Sequence, residues 1–464
     1  MPKDLRTFLE DIQDELLVID RPIQPHKFEA AAVVQSLENK GLNPPVLFRN
    51  VTDMHGRQAK GFQLVINIHG DRRRLAKALG VSPQDMRMPL VQEFAKREQN
   101  PIPPEVVSAS RAPVKEVVQR DPDLSELPIV RHNEMDGGPY IDMANVVRDP
   151  DNGAYNLAFL RNEYKSSKKM GVFMSPRHNL MIVQKYRERN KPTPTAIIVG
   201  HHPAFYLGLQ TRSPFEADEY EIVGGVMGEP LRLVPSETWG EDLLIPADAE
   251  VVIEGEIPPG TLEVEGPFGE YPGYYGPQRR SPILHVTAIN RRENPIFQTI
   301  FAAHREHWLM GVLPMEGGIY NSLRVQGRFP TLRQVCLPIS GTCRFRCYLS
   351  MKVRAEGEAK QAAMDAMGHI NKIKLVIVVD EDIDAFNEEQ VLWAVSTRAR
   401  YDHDMDLIKN AQGNTLDPTV EGELMVTKAI IDATEPLHRP YGKRAYPPRE
   451  LVEKIDLKEL ALEK

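Results

Sequence analysis

The N-terminal part of the chain alternates between helical and strand-like patterns of apolar residues. Apolar positions at helical spacing predict an amphipathic helix over Leu5–Leu17, and the basic segment Asp71–Leu79 predicts a second helix. Between them, the apolar runs Pro45–Phe48 and Gln63–Asn67 are typical of short strands. This alternation predicts a small α/β domain over residues 1–115.

Residues 116–310 follow a different pattern, in which short apolar runs alternate with Gly, Pro and Asp turns. Several prolines between residues 101 and 128 mark the crossing into this region. Runs of this length and spacing favour a β-barrel or a β-sandwich. The runs are Met143–Val147, Asn156–Leu160, Thr195–Val199, Glu250–Ile253 and Ile283–Ile289.

A second α/β pattern occupies residues 311–445. The continuous run Lys374–Val379 is rich in β-branched residues and is typical of a strand buried on both faces, and Asn387–Thr397 is predicted to be a helix. The tail, residues 446–464, has leucines at spacings that predict a short amphipathic helix. Such a helix usually docks on another domain or subunit, so a homodimer is the smallest assembly that we expect.

Composition and charge narrow the class of protein. An apolar fraction of 41% and a charged fraction of 26% are typical of a soluble globular chain, and a net charge of −8 argues against nucleic-acid binding. The N-terminus lacks the apolar segment of a secretory signal, and no apolar run is long enough to span a membrane, so we expect a cytoplasmic protein. The three cysteines, Cys336, Cys343 and Cys347, are expected to be buried thiols rather than a disulfide framework or a metal site.

Several common catalytic motifs are missing from the sequence. There is no Walker A motif, and no G-x-G-x-x-G follows an N-terminal strand, so an ordinary nucleotide or Rossmann dinucleotide site is unsupported. H-E-x-x-H, G-x-S-x-G and C-x-x-C are also missing, which leaves no sign of the common hydrolase or zinc sites.

The most informative segment is Glu265–Gly276, which contains two carboxylates, three tyrosines and no basic residue. Its glycines and prolines suit neither a helix nor a central strand, so we predict a shaped loop at the end of a strand. Glu265 and Glu270 would point to opposite faces of an ideal strand. A bend at Gly266–Pro267 or at Gly269 would turn both toward one pocket, where one acid stays ionised and the other keeps a proton.

Polar residues also stand out at three separate places in the central region. Asn156 and Arg161 lie at the two ends of an apolar run, His178 precedes an apolar helix start, and Glu229 follows a glycine-rich apolar segment. Each has an ordinary alternative, since Asn156 could cap a turn, His178 could be a helix N-terminal residue, and Glu229 could be a strand-end charge. Together an amide oxygen, an imidazole nitrogen and a carboxylate would suit a divalent cation, with phosphate or water as further ligands.

These motifs, in this order, resemble those of the UbiD-like decarboxylases, which use prenylated FMN. The resemblance rests on Glu265–Glu270, on Asn156 with Arg161, on Pro176–His178 and on Gly228–Glu229, and it extends to the segment at 376–384. It implies an α+β and α/β multidomain fold, in which a central flavin-reductase-like split β-barrel carries the cofactor. N-terminal and C-terminal α/β regions and the C-terminal helix flank this barrel, and subunits pair through the C-terminal part.

The resemblance also implies the ligands of the cofactor. In the family, the positions of Asn156, His178 and Glu229 bind a divalent metal, usually manganese, that bridges to the flavin phosphate, often with potassium nearby. Lys372 corresponds to a family lysine that touches the cofactor, and a flavin prenyltransferase would supply the prenylated FMN. The implied cofactor-binding residues are Asn156, Ala158, Phe159, Leu160, Arg161, Arg177, His178, Glu229 and Lys372.

The implied reaction is a reversible, non-oxidative decarboxylation through a covalent adduct between the substrate and prenylated FMN. The substrate would be an aromatic, heteroaromatic or α,β-unsaturated carboxylic acid. Arg161, Glu265 and Glu270 match the family's Arg-Glu-Glu network, in which Glu270 would protonate the carbon that loses carbon dioxide. His304 and His307 would either contact the substrate or form the polar start of an interface helix.

Two other functions remain open at this point. One is an FMN-dependent oxidoreductase on a split barrel, which gives no reason for the Arg161, Glu265 and Glu270 network. The other is a noncatalytic flavin- and metal-binding subunit of a carboxylase complex.

Overall fold

The N-terminal region forms a small mixed sheet with helices. The computed structural model describes residues 2–420 and 424–455. The predicted helix over Leu5–Leu17 is shorter than expected: it ends at Asp11, Ile12 is its C-cap, and Leu17–Ile19 forms a strand. The elements of this region are α1 (Leu5–Asp11), β1 (Leu17–Ile19), α2 (Glu29–Glu38), β2 (Val46–Phe48), β3 (Gln63–Ile66), α3 (Arg72–Ala78), α4 (Met88–Glu98) and β4 (Glu105–Val106).

The central region contains a closed antiparallel barrel. Six strands follow one another around it in the order β12, β9, β6, β7, β8 and β16, and pairing of β16 with β12 closes the ring. The elements are β5 (Val117–Gln119), β6 (Tyr140–Arg148), β7 (Tyr155–Ser166), β8 (Lys169–Val172), α5 (His178–Glu188), β9 (Thr193–Val199), α6 (Pro203–Gly208), α7 (Glu219–Met227), β10 (Arg232–Ser236), β11 (Gly240–Pro246), β12 (Val251–Ile257), β13 (Leu262–Glu265), β14 (Phe268–Gly269), β15 (Tyr275–Gly276), β16 (Arg279–Arg291) and β17 (Ile296–Gln298). The barrel that the sequence predicts is therefore confirmed, whereas its flavin-reductase-like character stays a prediction.

The strand β17 leaves the barrel region and completes the N-terminal sheet. It pairs in parallel with β3, so the sheet has the order β1, β2, β3 and β17. Conversely, β4 of the N-terminal region pairs in parallel with β10 of the central region. Both pairings cross the predicted boundary between residues 1–115 and 116–310. The division of the chain into residues 1–115, 116–310, 311–445 and 446–464 stays a prediction.

The C-terminal region is a five-stranded α/β sheet. Its order is β18, β19, β20, β22 and β21, with parallel pairing at the centre and antiparallel strands at both edges. The run at Lys374–Val379 forms the central strand, as predicted, and its four residues 376–379 are buried. The elements are α8 (Arg305–Met310), α9 (Val312–Tyr320), β18 (Leu332–Cys336), β19 (Arg346–Met351), α10 (Glu358–His369), β20 (Leu375–Val379), α11 (Glu388–Arg398), β21 (Met405–Gln412), β22 (Met425–Ala433) and α12 (Arg449–Glu453).

Three smaller expectations from the sequence have mixed outcomes. The predicted tail helix is seen only as α12, and Leu457, Leu460 and Leu462 lie outside the described residues. All three cysteines are buried free thiols, as expected. Among the helices of the described residues, none has both the length and the apolar character that crossing a membrane requires.

Candidate active site

Arg161 joins the two acids of the loop that the sequence singles out. It lies on β7, where its Nη2 donates to Glu265 Oε2 at 2.8 Å and its Nη1 donates to Glu270 Oε1 at 2.5 Å. All three side chains are buried, with exposed fractions of 0% for Glu265, 5% for Arg161 and 9% for Glu270. The structure thus brings together the three residues that the sequence proposes as catalytic.

The backbone of the loop explains how both acids reach one guanidinium. Gly266, with φ of +88°, starts the bend directly after Glu265, as the sequence predicts. A short hairpin of β14 and β15 then turns the chain at Glu270. A Cβ atom at Gly276 would lie 3.2 Å from Arg161 Nη1 and 3.3 Å from Glu270 Cγ, so a larger residue there would crowd the pair.

Glu265 and Glu270 have different surroundings. Burial raises the pKa of Glu270 above its usual value, and the neighbouring Arg161 only partly opposes this effect. Glu265 has more hydrogen-bond donors, because the Tyr140 hydroxyl, 3.2 Å from Oε1, donates to it in addition to Arg161. One guanidinium cannot neutralise two buried carboxylates, and the raised pKa of Glu270 favours a proton on that acid.

Aromatic rings cover the guanidinium of Arg161. The ring of Phe173 lies 4.2 Å from Cζ, and that of Phe268 lies 5.4 Å from it. Such contacts hold the planar group in one orientation and shield its ion pairs from water. The Nε of Arg161 is buried and has no hydrogen-bond partner among the described residues.

A large cavity of about 910 Å³ lies between the barrel and the C-terminal region. Its volume is near the upper end of the range for sites that bind small ligands. Phe173, which contacts Arg161, forms part of its wall. The sequence-predicted cofactor residues that line this cavity are Asn156, Ala158, Phe159, Leu160, Arg177, His178 and Lys372.

Asn156 and His178 meet in the wall of this cavity, and the acid that joins them is Glu219. Asn156 begins the apolar part of β7, His178 is the first residue of α5, and Glu219 is the first residue of α7. One amide atom of Asn156 lies 3.2 Å from Glu219 Oε1 and 3.2 Å from His178 Nδ1. As a nitrogen, this atom donates to both groups. As an oxygen, it joins Glu219 Oε1 and His178 Nδ1 as a third electron-pair donor, and this set of donors suits a cation.

The structure does not bring Glu229 to this cluster. The segment that ends before it is the helix α7, not a strand, and Gly228 terminates the helix with φ of +75°. Glu219 and Glu229 therefore lie at opposite ends of the helix, about 15 Å apart for ten residues at 1.5 Å each. Glu229 accepts a hydrogen bond from the backbone nitrogen of Lys3 at 2.7 Å.

Sequence reasoning missed Glu219 although a local signal was present. Asp218 accepts a hydrogen bond from the backbone nitrogen of Tyr220, and two acids follow it in the first turn, Glu219 and Glu221. An N-cap aspartate followed by acids is a typical helix start. Recognising that start would have placed Glu219 at the beginning of the apolar segment and Glu229 beyond its end.

The glycines inside α7 have a packing role. A Cβ at Gly224 would lie 2.6 Å from the carbonyl oxygen of Ile102, and one at Gly225 would lie 2.4 Å from that of Asn100. The helix therefore needs glycine at both positions to pack closely on the chain that follows α4.

Five cationic side chains line the large cavity: Arg177, Arg212, Arg279, Arg344 and Lys372. Burial, with repulsion from Arg344, Arg177 and Arg212, lowers the pKa of Lys372 to about 7, and Glu270 opposes this shift. Lys372 Nζ lies 4.9 Å from the centre of the Tyr271 ring, next to Glu270 in sequence. This concentration of positive charge suits an anionic group such as a phosphate.

His304 and His307 do not line the large cavity. His304 stacks on Phe301 at 3.8 Å between ring centroids, and its Nδ1 lies 3.2 Å from Glu38. His307 Nδ1 accepts from the backbone nitrogen of Ala303 at 3.3 Å. These contacts agree with the alternative of a polar helix start, and a role in substrate binding stays a prediction.

Asp142 is an additional acid next to the site that the sequence did not indicate. It is the register partner of Arg161 on β6 and is buried. Burial, with the neighbouring Glu270 as the next cause, raises its pKa to about 8. The interior around Arg161 therefore holds three carboxyl groups, and at least one of them keeps its proton near neutral pH.

Matches to protein-family models cover most of the chain. The models are the N-terminal, Rift-related and C-terminal domains of 3-octaprenyl-4-hydroxybenzoate carboxy-lyase, which match residues 9–93, 105–305 and 307–433.

Similar curated proteins are decarboxylases of nearly equal length. Phenolic acid decarboxylase from Sedimentibacter hydroxybenzoicus is 34% identical over 94% of this chain and 92% of its own. Anhydromevalonate phosphate decarboxylase from Methanothermobacter thermautotrophicus is 32% identical over 93% of this chain and 97% of its own.

A similar solved structure is the UbiD-class enzyme HmfF from Pelotomaculum thermopropionicum in complex with FMN. It has a TM-score of 0.89 and 36% identity, and the match covers 98% of this chain and 99% of HmfF. An evolved dimeric form of HmfF in complex with prFMN matches with a TM-score of 0.85, 34% identity and coverage of 99% and 100%.

Proposed function

The chain belongs to the UbiD family of carboxy-lyases, and on this basis we propose that it decarboxylates an unsaturated carboxylic acid with prenylated FMN. The substrate class is an aromatic, heteroaromatic or α,β-unsaturated acid, and the reaction is reversible and non-oxidative. The observation that carries the proposal is the buried Arg161, which holds Glu265 and Glu270 together. Neither alternative, an FMN-dependent oxidoreductase or a noncatalytic subunit, requires this network of Arg161 with Glu265 and Glu270.

The residues of the large cavity fit the cofactor. Arg177, Arg212 and Lys372 supply positive charge for its phosphate, and the apolar wall at Ala158–Leu160 supplies a surface for its ring system. When bound, prenylated FMN supplies the electron sink that loss of carbon dioxide from an sp2 carbon requires, through a covalent adduct with the substrate. A flavin prenyltransferase would have to supply this cofactor.

A divalent cation, which we expect to be manganese, fits the cluster of Asn156, His178 and Glu219. Among the described residues, no group of three His, Cys, Asp or Glu side chains is suited to a metal, and here the third ligand is an amide. Amide oxygen, imidazole and carboxylate form a mixed set that leaves room for phosphate or water. Burial raises the pKa of Glu219 to about 8, and a bound cation would favour its ionised form. The predicted potassium ion has no assigned ligands.

Arg161, Glu265 and Glu270 have different roles toward the substrate. Glu265 holds the guanidinium in place, and Arg161 orients the substrate carboxylate by a charge-assisted hydrogen bond. Glu270 holds a proton on a carboxyl oxygen and delivers it to the carbon that carbon dioxide has left. The rings of Phe173 and Phe268 exclude water, so the proton reaches carbon rather than solvent.

Protein coexpressed with a flavin prenyltransferase is expected to carry a flavin heavier than FMN by one prenyl unit, as measured by mass spectrometry. The loaded protein should then release carbon dioxide from members of a panel of aromatic and acrylic acids. Protein expressed without the prenyltransferase is the control, and it should bind at most FMN and show no turnover. Purification of unmodified FMN alone in the presence of the prenyltransferase would contradict the proposal.

The rate of decarboxylation is expected to fall on the alkaline side as the pH rises through the raised pKa of Glu270. The sign follows from its role, because burial favours the protonated carboxyl and the donor works only while it holds the proton. The measurement is the pH profile of kcat/KM, with cofactor content checked at every pH. A rate that increases without a break up to the pH at which the protein unfolds would refute this assignment.

A further inference from the structure

A second cavity lies directly behind the wall of the large one. Its volume is about 330 Å³, and it is formed by α5, the end of β12, the start of β13 and the start of β16. The two cavities share Phe173, Met174 and Arg279. Apart from Phe173 in the shared wall, no residue with a role in the proposed reaction or in cofactor binding lines the second cavity, so that reaction gives this cavity no function.

Apolar side chains form one part of the lining of the second cavity. Leu180 and Val183 come from one turn of α5, and Ile257, Pro258 and Leu262 come from the end of β12, the residue after it and the start of β13. The uncharged polar residues of the lining are Gln184, Thr193, Thr261 and Ser281. Apolar walls of this kind favour a hydrophobic body, and a volume near 330 Å³ is at the lower end for small-molecule sites. The cavity therefore suits a ligand about as large as a two-ring aromatic or a medium-length alkyl chain.

The rim of the second cavity carries only positive charge. Arg187 and Lys191 lie on one side, and Arg279 and Arg280 lie on the other, while no Asp or Glu among the described residues lines the cavity. None of these four side chains forms an ion pair with any residue that the structure describes. A hydrophobic body with an anionic end would place its charge among these groups.

We infer that this second cavity binds a hydrophobic monocarboxylate that regulates the enzyme through Phe173. The ring of Phe173 lies 4.2 Å from Arg161 Cζ and 5.3 Å from Arg279 Cζ, so it contacts both the Arg161 guanidinium of the candidate active site and the Arg279 guanidinium of the second cavity. Its backbone nitrogen also donates to the carbonyl oxygen of Arg161 at 3.2 Å. A ligand that displaces this ring changes the packing on Arg161 and thereby the rate. Binding is independent of the proposed function, whereas the effect on the rate rests on it.

Calorimetric titration of the full-length, cofactor-loaded protein tests the binding. The probes are octanoate and 2-naphthoate, and their neutral isosteres are octanamide and 2-naphthamide. We expect the acids to bind about tenfold more tightly than the amides, which is the effect of one charge-assisted contact. Binding of octanoate alone defines an aliphatic ligand, and binding of 2-naphthoate alone defines an aromatic one. Equal affinity for acids and amides overturns the proposal.

Variants of exposed residues locate the probe. Arg187→Ala combined with Arg280→Ala should weaken acid binding by about tenfold or more, and Gln184→Trp should block it by filling the cavity. Arg189→Ala is the matched control, because Arg189 lies at the end of α5 but pairs with Asp151 outside the cavity. All of these variants should keep the basal rate. Full affinity in both the double variant and Gln184→Trp would place the probe elsewhere and overturn the site.

Steady-state kinetics tests the regulation. Saturating octanoate, which has no unsaturated carbon beside its carboxylate, should change kcat without changing KM in the wild-type enzyme. The change should disappear in the double arginine variant. Purely competitive inhibition that persists in that variant would overturn the coupling, whereas absence of any turnover together with intact calorimetric binding would count against the proposed reaction alone.

Discussion

Glu270→Gln is expected to slow release of carbon dioxide by roughly a hundredfold to ten-thousandfold, the usual contribution of a positioned proton donor. Glutamine keeps the size of the side chain and an oxygen that accepts from Arg161 Nη1, but it cannot transfer a proton. The cofactor should remain bound, because Glu270 does not line the large cavity. The measurements are carbon dioxide release and the flavin content of the same preparation.

The control for this variant is Glu263→Gln. Glu263 lies on β13, two residues before Glu265, and pairs with Lys169 rather than with Arg161. The Glu263→Gln substitution removes an acid from the same strand as Glu265 and should leave the rate of carbon dioxide release unchanged. Exchange of solvent deuterium into the decarboxylated product is a second measurement, and it should fall in parallel with the rate. Turnover of Glu270→Gln at the wild-type rate would remove Glu270 as the donor.

Glu219→Gln is expected to lose the divalent cation and the flavin together. The substitution removes the only charged ligand of the cluster, while the glutamine oxygen still accepts from the backbone nitrogen of Leu157 and its NH2 group can donate to the Ser213 hydroxyl. The loss of charge should therefore affect the cation more than the fold. Metal content measured by mass spectrometry and flavin absorbance are the two measurements, and a thermal unfolding curve of cofactor-free protein checks the fold.

Glu229→Ala is the matched control for the cation. Glu229 follows the far end of α7 and contacts the backbone of Lys3, so its removal should leave metal and flavin content unchanged. The opposite pattern, in which Glu229→Ala loses the metal and Glu219→Gln retains it, would restore the ligand set that the sequence suggested. The two variants therefore decide between Glu219, at the start of α7, and Glu229, which follows its end.

The loop at Glu265–Gly276 was predictable because its information is local. Glycine and proline restrict or free the backbone of their own neighbours, so a bend at Gly266 could be predicted from composition alone. The contact partner Arg161 lies more than a hundred residues earlier. Its place in the network came from resemblance to a family, since nothing in its own segment indicates which loop it meets.

The proposed cation site at Asn156, His178 and Glu219 shows where local patterns fail. The apolar segment before Glu229 contains two glycines, which lower helix propensity, and tertiary packing overrode that preference. Sequence also left open a barrel or a sandwich, because closure depends on the pairing of β12 with β16 and not on the pattern of either strand. Long-range pairing is likewise the reason that β17 could not be assigned to the N-terminal sheet.

The position of β17 also has a consequence for the order of folding during synthesis. The parallel partner of β3 is residues 296–298, so the N-terminal sheet lacks one strand until the ribosome has made the whole barrel. Until then β3 has an open edge, which is a site for wrong pairing with other chains. Barrel formation returns the chain to this edge, and the nascent N-terminal region is complete only after the barrel exists.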